Sequence, residues 1–414
     1  MESTRLLELA ATITTAVNAI HSHLTDQNLP YPSFEPGAPT ALPEELASSQ
    51  NALIDAISEI SDLVIGPVDA MASGSSQNYV SLSVIQRFNI ANSFVPGEER
   101  TFAQISADTG LSRSMVKRIL RHAMTFRVFK EPRKGVVAHT ARSALMRSRE
   151  SADFMAVALE EMDPAALRAA EALQKWPGSE EPNHTGFALV NRTDIPTYKV
   201  LEGDPARAAR FANTMSIMTN GKGFDVSHVV NGYDWSALNS ATVVDIGGSR
   251  GHIAQAVAST FPSLSFVVQD LPSTVANAAA DLPPQLVGRV SFMPHDFFND
   301  QPVVADAYFL RWILHNWPDK YCVKILRALI PALRPGARII INEICVPQPG
   351  CIPLWREKQL RTMDMGMMTL FNAQERDADE WCDLLERADP RFTFAGIHQA
   401  EGSQLALIEA VWRE

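Results

Sequence analysis

The chain has 414 residues, 46% apolar and 20% charged, which is long and apolar enough for two domains with a sizeable core. Its formal net charge of −11 argues against a surface built as a whole for nucleic acid. No run of about eighteen apolar residues offers a membrane span, and the start MESTRLLELAATITTAVNAI lacks the basic segment and unbroken apolar block of a secretory signal.

Leu6, Leu9, Ile13, Val17, Ile20 and Leu24 recur at helical spacing and predict an amphipathic helix over 3–24. Prolines at 30, 32, 36, 39 and 43 then exclude either regular element. A second amphipathic helix follows, with Leu53, Ile54, Ile57, Ile60 and Val64 on one face. The stretch TFAQISADTGLSRSMVKRILRHAMTFRVFKEPRKGVVAHT (101–140) reads as a helix, a turn at Gly110, a helix from Ser112 and a short hairpin, a winged helix-turn-helix. Its second helix carries Arg113, Lys117, Arg118, Arg121 and His122, groups suited to phosphate contact. In an acidic chain joined to an enzyme-like domain, the expectation is nevertheless that nucleic acid is not a partner. These helical faces are more apolar than a small domain needs, which predicts a homodimer.

From about residue 240 strands alternate with helices. ATVVDIGG is a β-branched strand ending in glycines, LSFVVQDLP a second ending in Asp270, and RVSFMPHDFF a third ending at Asp296. DAYFLRW is a fourth, ARIIINEICV a fifth ending near Glu343, and RFTFAGIHQAEGSQLALIEAVW two more joined by a turn. This rhythm predicts an α/β fold: a doubly wound, Rossmann-like seven-stranded sheet with an antiparallel C-terminal hairpin, preceded by a mostly helical winged-helix domain. The domains are expected at 1–150 and 151–414. Four cysteines (Cys322, Cys345, Cys351, Cys382) form no CxxC pair and read as reduced thiols of a cytoplasmic protein, with no disulfide frame and no metal site.

Asp245-Ile246-Gly247-Gly248-Ser249-Arg250-Gly251 lies between a strand and a helix, where glycines let a ligand approach the backbone and the helix adds its dipole. The alternative is a tight turn without a ligand. Asp270, about twenty residues on, can accept both hydroxyls of a ribose. Asp296 beside Phe297 suits an adenine, one accepting from the amino group and the other packing on the ring. The loop lacks the lysine and hydroxyl of GxxxxGK[ST], so a nucleoside without phosphates is favoured.

VVDIGGSRGH, VVQDLP, HDFF, RWILHNWPD, INEICVP and QERDADEW, in that order, resemble the S-adenosylmethionine-dependent O-methyltransferases of the plant caffeate/flavonoid type and their fungal relatives, over roughly residues 75–414. The resemblance implies an S-adenosyl-L-methionine site using Gly247, Asp270, Asp296, Phe297 and Arg311, with Thr219 near the amino-acid end of the cofactor. It also implies that the winged-helix domain serves for dimerisation and can reach over the partner's pocket, which brings His139 of the hairpin into view, although a histidine there is more often structural. The acceptor is expected to be a small aromatic or polyketide-like molecule.

His315 stands where a strand stops and a turn begins, the edge of an α/β sheet at which ligands bind. A phenol is a poor nucleophile until it loses its proton, and an imidazole can take that proton at neutral pH. A carboxylate can hold the base in one tautomer, and the resemblance places Glu343 and Glu375 as the acids flanking it. The alternative is a histidine that only caps the following helix, for which Asp319 is an acceptable cap and which is expected to run to about Leu333. Many members have Asp directly after this histidine. Here it is Asn316, a change that bears on acceptor recognition more than on the base. Met363, Met365, Met367 and Met368 with Phe371 form either an adaptable pocket lining or a buried helix face. Some fungal proteins of this fold bind the cofactor yet catalyse dehydration and pericyclic ring closure. The retained histidine and both glutamates favour methyl transfer.

Overall fold

The computed structural model describes residues 4–72, 77–219 and 221–414. They form two compact units, one of Met1–Asp163, Ala209–Thr214 and Pro349–Gln359, the other of Pro164–Ala208, Met215–Gln348 and Leu360–Glu414.

In the first unit the helices Arg5–Asp26 and Ala47–Ile65 pack on each other, burying Leu9, Ala16, Leu24 and Ala56. The helix Phe102–Thr109 opens on a capping box between Thr101 and Gln104 and stops at Gly110, whose φ of 72° is the left-handed turn that favours glycine. Ser112 caps the next helix, Arg113–Met124, through the Met115 amide. β1 (Glu99–Thr101), β2 (Lys130–Arg133) and β3 (Val136–Ala138) form a small antiparallel sheet in the order β1-β3-β2, completing the expected winged helix. Ile105, Val116, Leu120 and Val137 are fully buried in its core. Arg121 is committed to Glu131 through two bonds of 2.8 Å. His139 is buried between Phe94 and Phe129, with its ring nitrogens on Ser143 Oγ and the Phe94 carbonyl. Burial holds its pKa below the ordinary imidazole value, so within this unit it is a packed, neutral group.

The second unit holds a seven-stranded sheet of β4 (Thr242–Ile246), β5 (Ser265–Asp270), β6 (Val290–Pro294), β7 (Ala307–Arg311), β8 (Arg338–Glu343), β9 (Phe392–His398) and β10 (Ala406–Trp412). Their order is β6-β5-β4-β7-β8-β10-β9; the first five run parallel, and β10 is antiparallel to both neighbours. Both faces are covered, so the central strands are mostly apolar until their carboxyl ends, and alternate residues feed two cores. Val244, Ile246, Tyr308, Leu310, Ile339 and Ile341 face the helices Asp319–Leu329 and Ala378–Ala388. Val243, Ala307, Phe309 and Ile340 face Trp235 and the helix His252–Thr260.

Three local expectations are corrected. The third strand ends at Pro294, which has no N–H for a ladder, so Asp296 lies in the following turn and accepts the Phe298 amide (3.0 Å). The helix from Asp319 ends at Leu329, and a 3-10 turn containing Pro331 covers Ile330–Ala332. Asp319 does not cap it: Pro318 occupies the N-cap, and the Asp319 carboxylate turns to Arg376 and Arg387. No described helix is long and apolar enough to cross a membrane.

Candidate active site at the carboxyl ends of the strands

The chain leaves β4 through Gly247 (φ 67°), Ser249 (φ 52°) and Gly251 (φ 72°) before the helix His252–Thr260. Left-handed backbone at Gly247 and Gly251 explains glycine there. Space explains it again, since a Cβ on Gly247 would strike Ile313 and one on Gly248 would sit 2.5 Å from Cγ of Asp245. Beneath this loop Asp245 is 2% exposed and its Oδ2 has no partner. Burial, with the nearby Asp270 charge, pushes its carboxyl up to about 7. The Asp270 carboxylate bridges loop and strand, accepting the Ser249 amide (2.9 Å) and the Leu271 amide (2.7 Å). Two carboxyl groups thus lie at one glycine cradle.

Beyond β7, Trp312 takes a left-handed turn (φ 57°), a costly conformation for a bulky residue. A 3-10 turn over Leu314–Asn316 then carries His315, which is 8% exposed and packs on the Trp312 ring at 4.7 Å. His315 Nδ1 lies 2.9 Å from Glu375 Oε1. A carboxylate only accepts, so Nδ1 carries the hydrogen and Nε2 is left as the basic atom.

Glu343, at the end of β8, does a different job. Its Oε1 accepts the backbone N–H groups of Ile313 (2.7 Å) and Leu314 (2.9 Å), fixing the turn that presents the histidine. Fully buried, it is pushed up to about 6, with His315 opposing that rise. Burial alone would lower the His315 pKa, but the Glu343 and Glu375 charges outweigh it and the net shift is upward. The Glu375 amide donates to Asp364 Oδ1 (2.8 Å), which anchors that acid from the helix Leu354–Phe371.

The other expected residues are placed more loosely. Arg311 donates to Asn342 Oδ1 (2.5 Å) and to the Phe224 carbonyl (2.7 Å), and burial lowers its pKa. Thr219 donates back to the Met215 carbonyl of its own helix (2.9 Å), so no bond draws it to the glycine loop. Phe297 is half-buried and meets Trp317 edge-on at 6.2 Å, while Asp296 is exposed. Asn316 is spent within the protein: it donates to the Trp312 carbonyl (2.9 Å) and accepts from Tyr198 (3.0 Å). Of the methionine run, Met367 and Phe371 are buried, Met365 is exposed, and Met363 packs, like Trp312, against the buried Ile344, Val346 and Leu405.

Asp245, Trp312 and Arg376 escaped the sequence reading. Asp245 was legible as the acid before the glycines, and Arg376 stands next to Glu375. Nothing in the sequence marks Trp312 for a left-handed turn.

A family model described as an O-methyltransferase domain matches residues 188–390. O-methyltransferase PaMT of Phomopsis amygdali is 39% identical, covering 99% of this chain and 97% of that one. Among solved structures, OxaC in complex with sinefungin and meleagrin superposes with a TM-score of 0.76 at 21% identity, covering all of both chains. A structure called a pericyclic reaction enzyme gives 0.69 at 20% identity, covering 98% of this chain and all of that one. At those identities the structural likenesses speak for the fold alone.

Proposed function

The chain belongs to the S-adenosylmethionine-dependent O-methyltransferase family, and on that premise we propose that His315 is the general base that readies an aromatic or polyketide-like hydroxyl for methylation. The observation that carries this reading is the buried His315–Glu375 bond, which leaves Nε2 as proton acceptor at a strand end. Bound S-adenosylmethionine supplies a methyl group activated by a positively charged sulfur. The residues present fit it: the unpartnered Asp245 oxygen and the Asp270 carboxylate could accept from hydroxyl or ammonium donors, and the glycines beside them set no side chain against a ligand. Asp270 would take the ribose hydroxyls and Phe297 with Asp296 the adenine, Gly247 and Arg311 would belong to the same site, and Thr219 is assigned to the amino-acid end.

In the acceptor half-site, the hydroxyl proton passes to His315 Nε2. Glu375 keeps the imidazole in one tautomer, and both acids stabilise the cation that forms. Cyclisation without methyl transfer is the weaker reading, because the full-length relative at 39% identity is an O-methyltransferase. Incubating the protein with methyl-labelled cofactor and a panel of phenols should give products heavier by one labelled methyl group. An isomerised or dehydrated product with intact cofactor would replace this reading with the pericyclic one.

Asp270→Ala would leave the ribose hydroxyls without their acceptor, at about 1–3 kcal/mol, or roughly fivefold to 150-fold weaker binding. Calorimetry with the cofactor checks it, and unchanged affinity in the folded variant removes Asp270 from the site.

We also assign residues 1–150 to dimerisation. Leu7, Val64 and Val68 are 72%, 72% and 78% exposed, an apolar surface of the kind that subunit contact covers. Light scattering at micromolar concentration should return twice the chain mass. A monomer with full activity contradicts the assignment. Free thiols at all four cysteines accord with a cytoplasmic setting.

A further inference from the structure

Arg376 is fully buried, an uncommon place for a guanidinium, and its bonds gather around the turn that carries His315. Nη1 donates to the Leu314 carbonyl (3.3 Å) and Nη2 to the Trp317 carbonyl (3.1 Å), so the fork brackets the histidine from one residue before to two after. Nε and Nη2 converge on Asp319 Oδ1 (3.0 and 2.7 Å), which neutralises the buried charge. The Arg376 backbone is itself held: its carbonyl accepts the Val346 amide (2.9 Å), just beyond the strand that ends in Glu343. The preceding residue is Glu375, the acid on His315 Nδ1.

We propose that Arg376 is a positioning residue for the reaction, one guanidinium that locks the His315 turn to the Glu375 segment and thereby fixes the aim of Nε2. The inference rests on His315 as the base and adds a residue to that reading. Arginine suits the task because its planar fork holds several acceptors in fixed directions. Lysine would place one charge near Asp319 but could not span both carbonyls. A base displaced by about 1 Å can lose about 10²-fold in rate while ligands still bind.

The test compares Arg376→Lys and Asp319→Asn with His315→Ala, each followed by melting curves and cofactor calorimetry. Arg376→Lys should lower kcat by about tenfold to 10²-fold, with acceptor KM and cofactor Kd within about threefold of wild type. Asp319→Asn, which loosens the fork but leaves the arginine, should lower kcat in the same direction and by less. It carries the test if the lysine variant does not fold. Wild-type kcat in the folded variants, while His315→Ala is impaired, overturns the positioning role alone. A kcat loss matched by the unfolded fraction overturns it too. Full turnover in His315→Ala removes the base reading, and this inference with it.

Discussion

His315→Ala should lower kcat by about 10²–10⁴-fold, the range of a positioned proton acceptor, and leave cofactor binding nearly unchanged. The imidazole is held by Glu375 rather than by the glycine loop, so its removal empties the acceptor half-site only. The wild-type enzyme should lose activity in acid, and the sign follows from the shift. The base works deprotonated, and its carboxylate neighbours raise its pKa, so the inactive imidazolium persists to higher pH than for a free histidine. The acid limb of the kcat profile should therefore fall above about 6.5. A profile flat through that region, or an alanine variant with full turnover, contradicts the assignment.

Gly248→Val should weaken S-adenosylmethionine binding by about 10²-fold, at the upper end of what overpacking costs. Even a single added carbon would lie 2.5 Å from Asp245 Cγ, and the Asp245 side chain is buried and cannot swing out to water. Loop and carboxylate must move apart, which disturbs both the cradle and the Ser249–Asp270 bond next to it. Calorimetry on protein shown to be folded by its melting curve reads the effect. Affinity within about twofold of wild type would mean that the cofactor does not depend on this loop.

Much of the architecture was legible because it follows from short-range pattern. β-Branched runs such as TVVDI and RIIIN, separated by helical stretches, dictate a parallel sheet buried on both faces, and the glycines after β4 mark the ligand edge. Tertiary partners were not legible. Asp319 looked like a local cap, yet a fully buried arginine 57 positions away outcompetes the helix amides for its carboxylate. A charged residue in sequence reads as surface, which is why Arg376 passed unnoticed. Glu343 and Glu375 read as equivalent flanking acids. Their division, one on backbone amides and one on the imidazole, depends on the path of a three-residue turn. Thr219 shows the opposite limit, since a hydroxyl near a helix end readily bonds back to its own turn.

The most direct measurement of the central claim is kcat for wild type and His315→Ala over a series of phenolic acceptors of falling pKa, at one pH. If His315 takes the acceptor's proton, the deficit of the alanine variant should shrink steadily as the acceptor ionises unaided, and nearly vanish for the most acidic phenols. A deficit of constant size across the series, ionised acceptors included, would contradict the account.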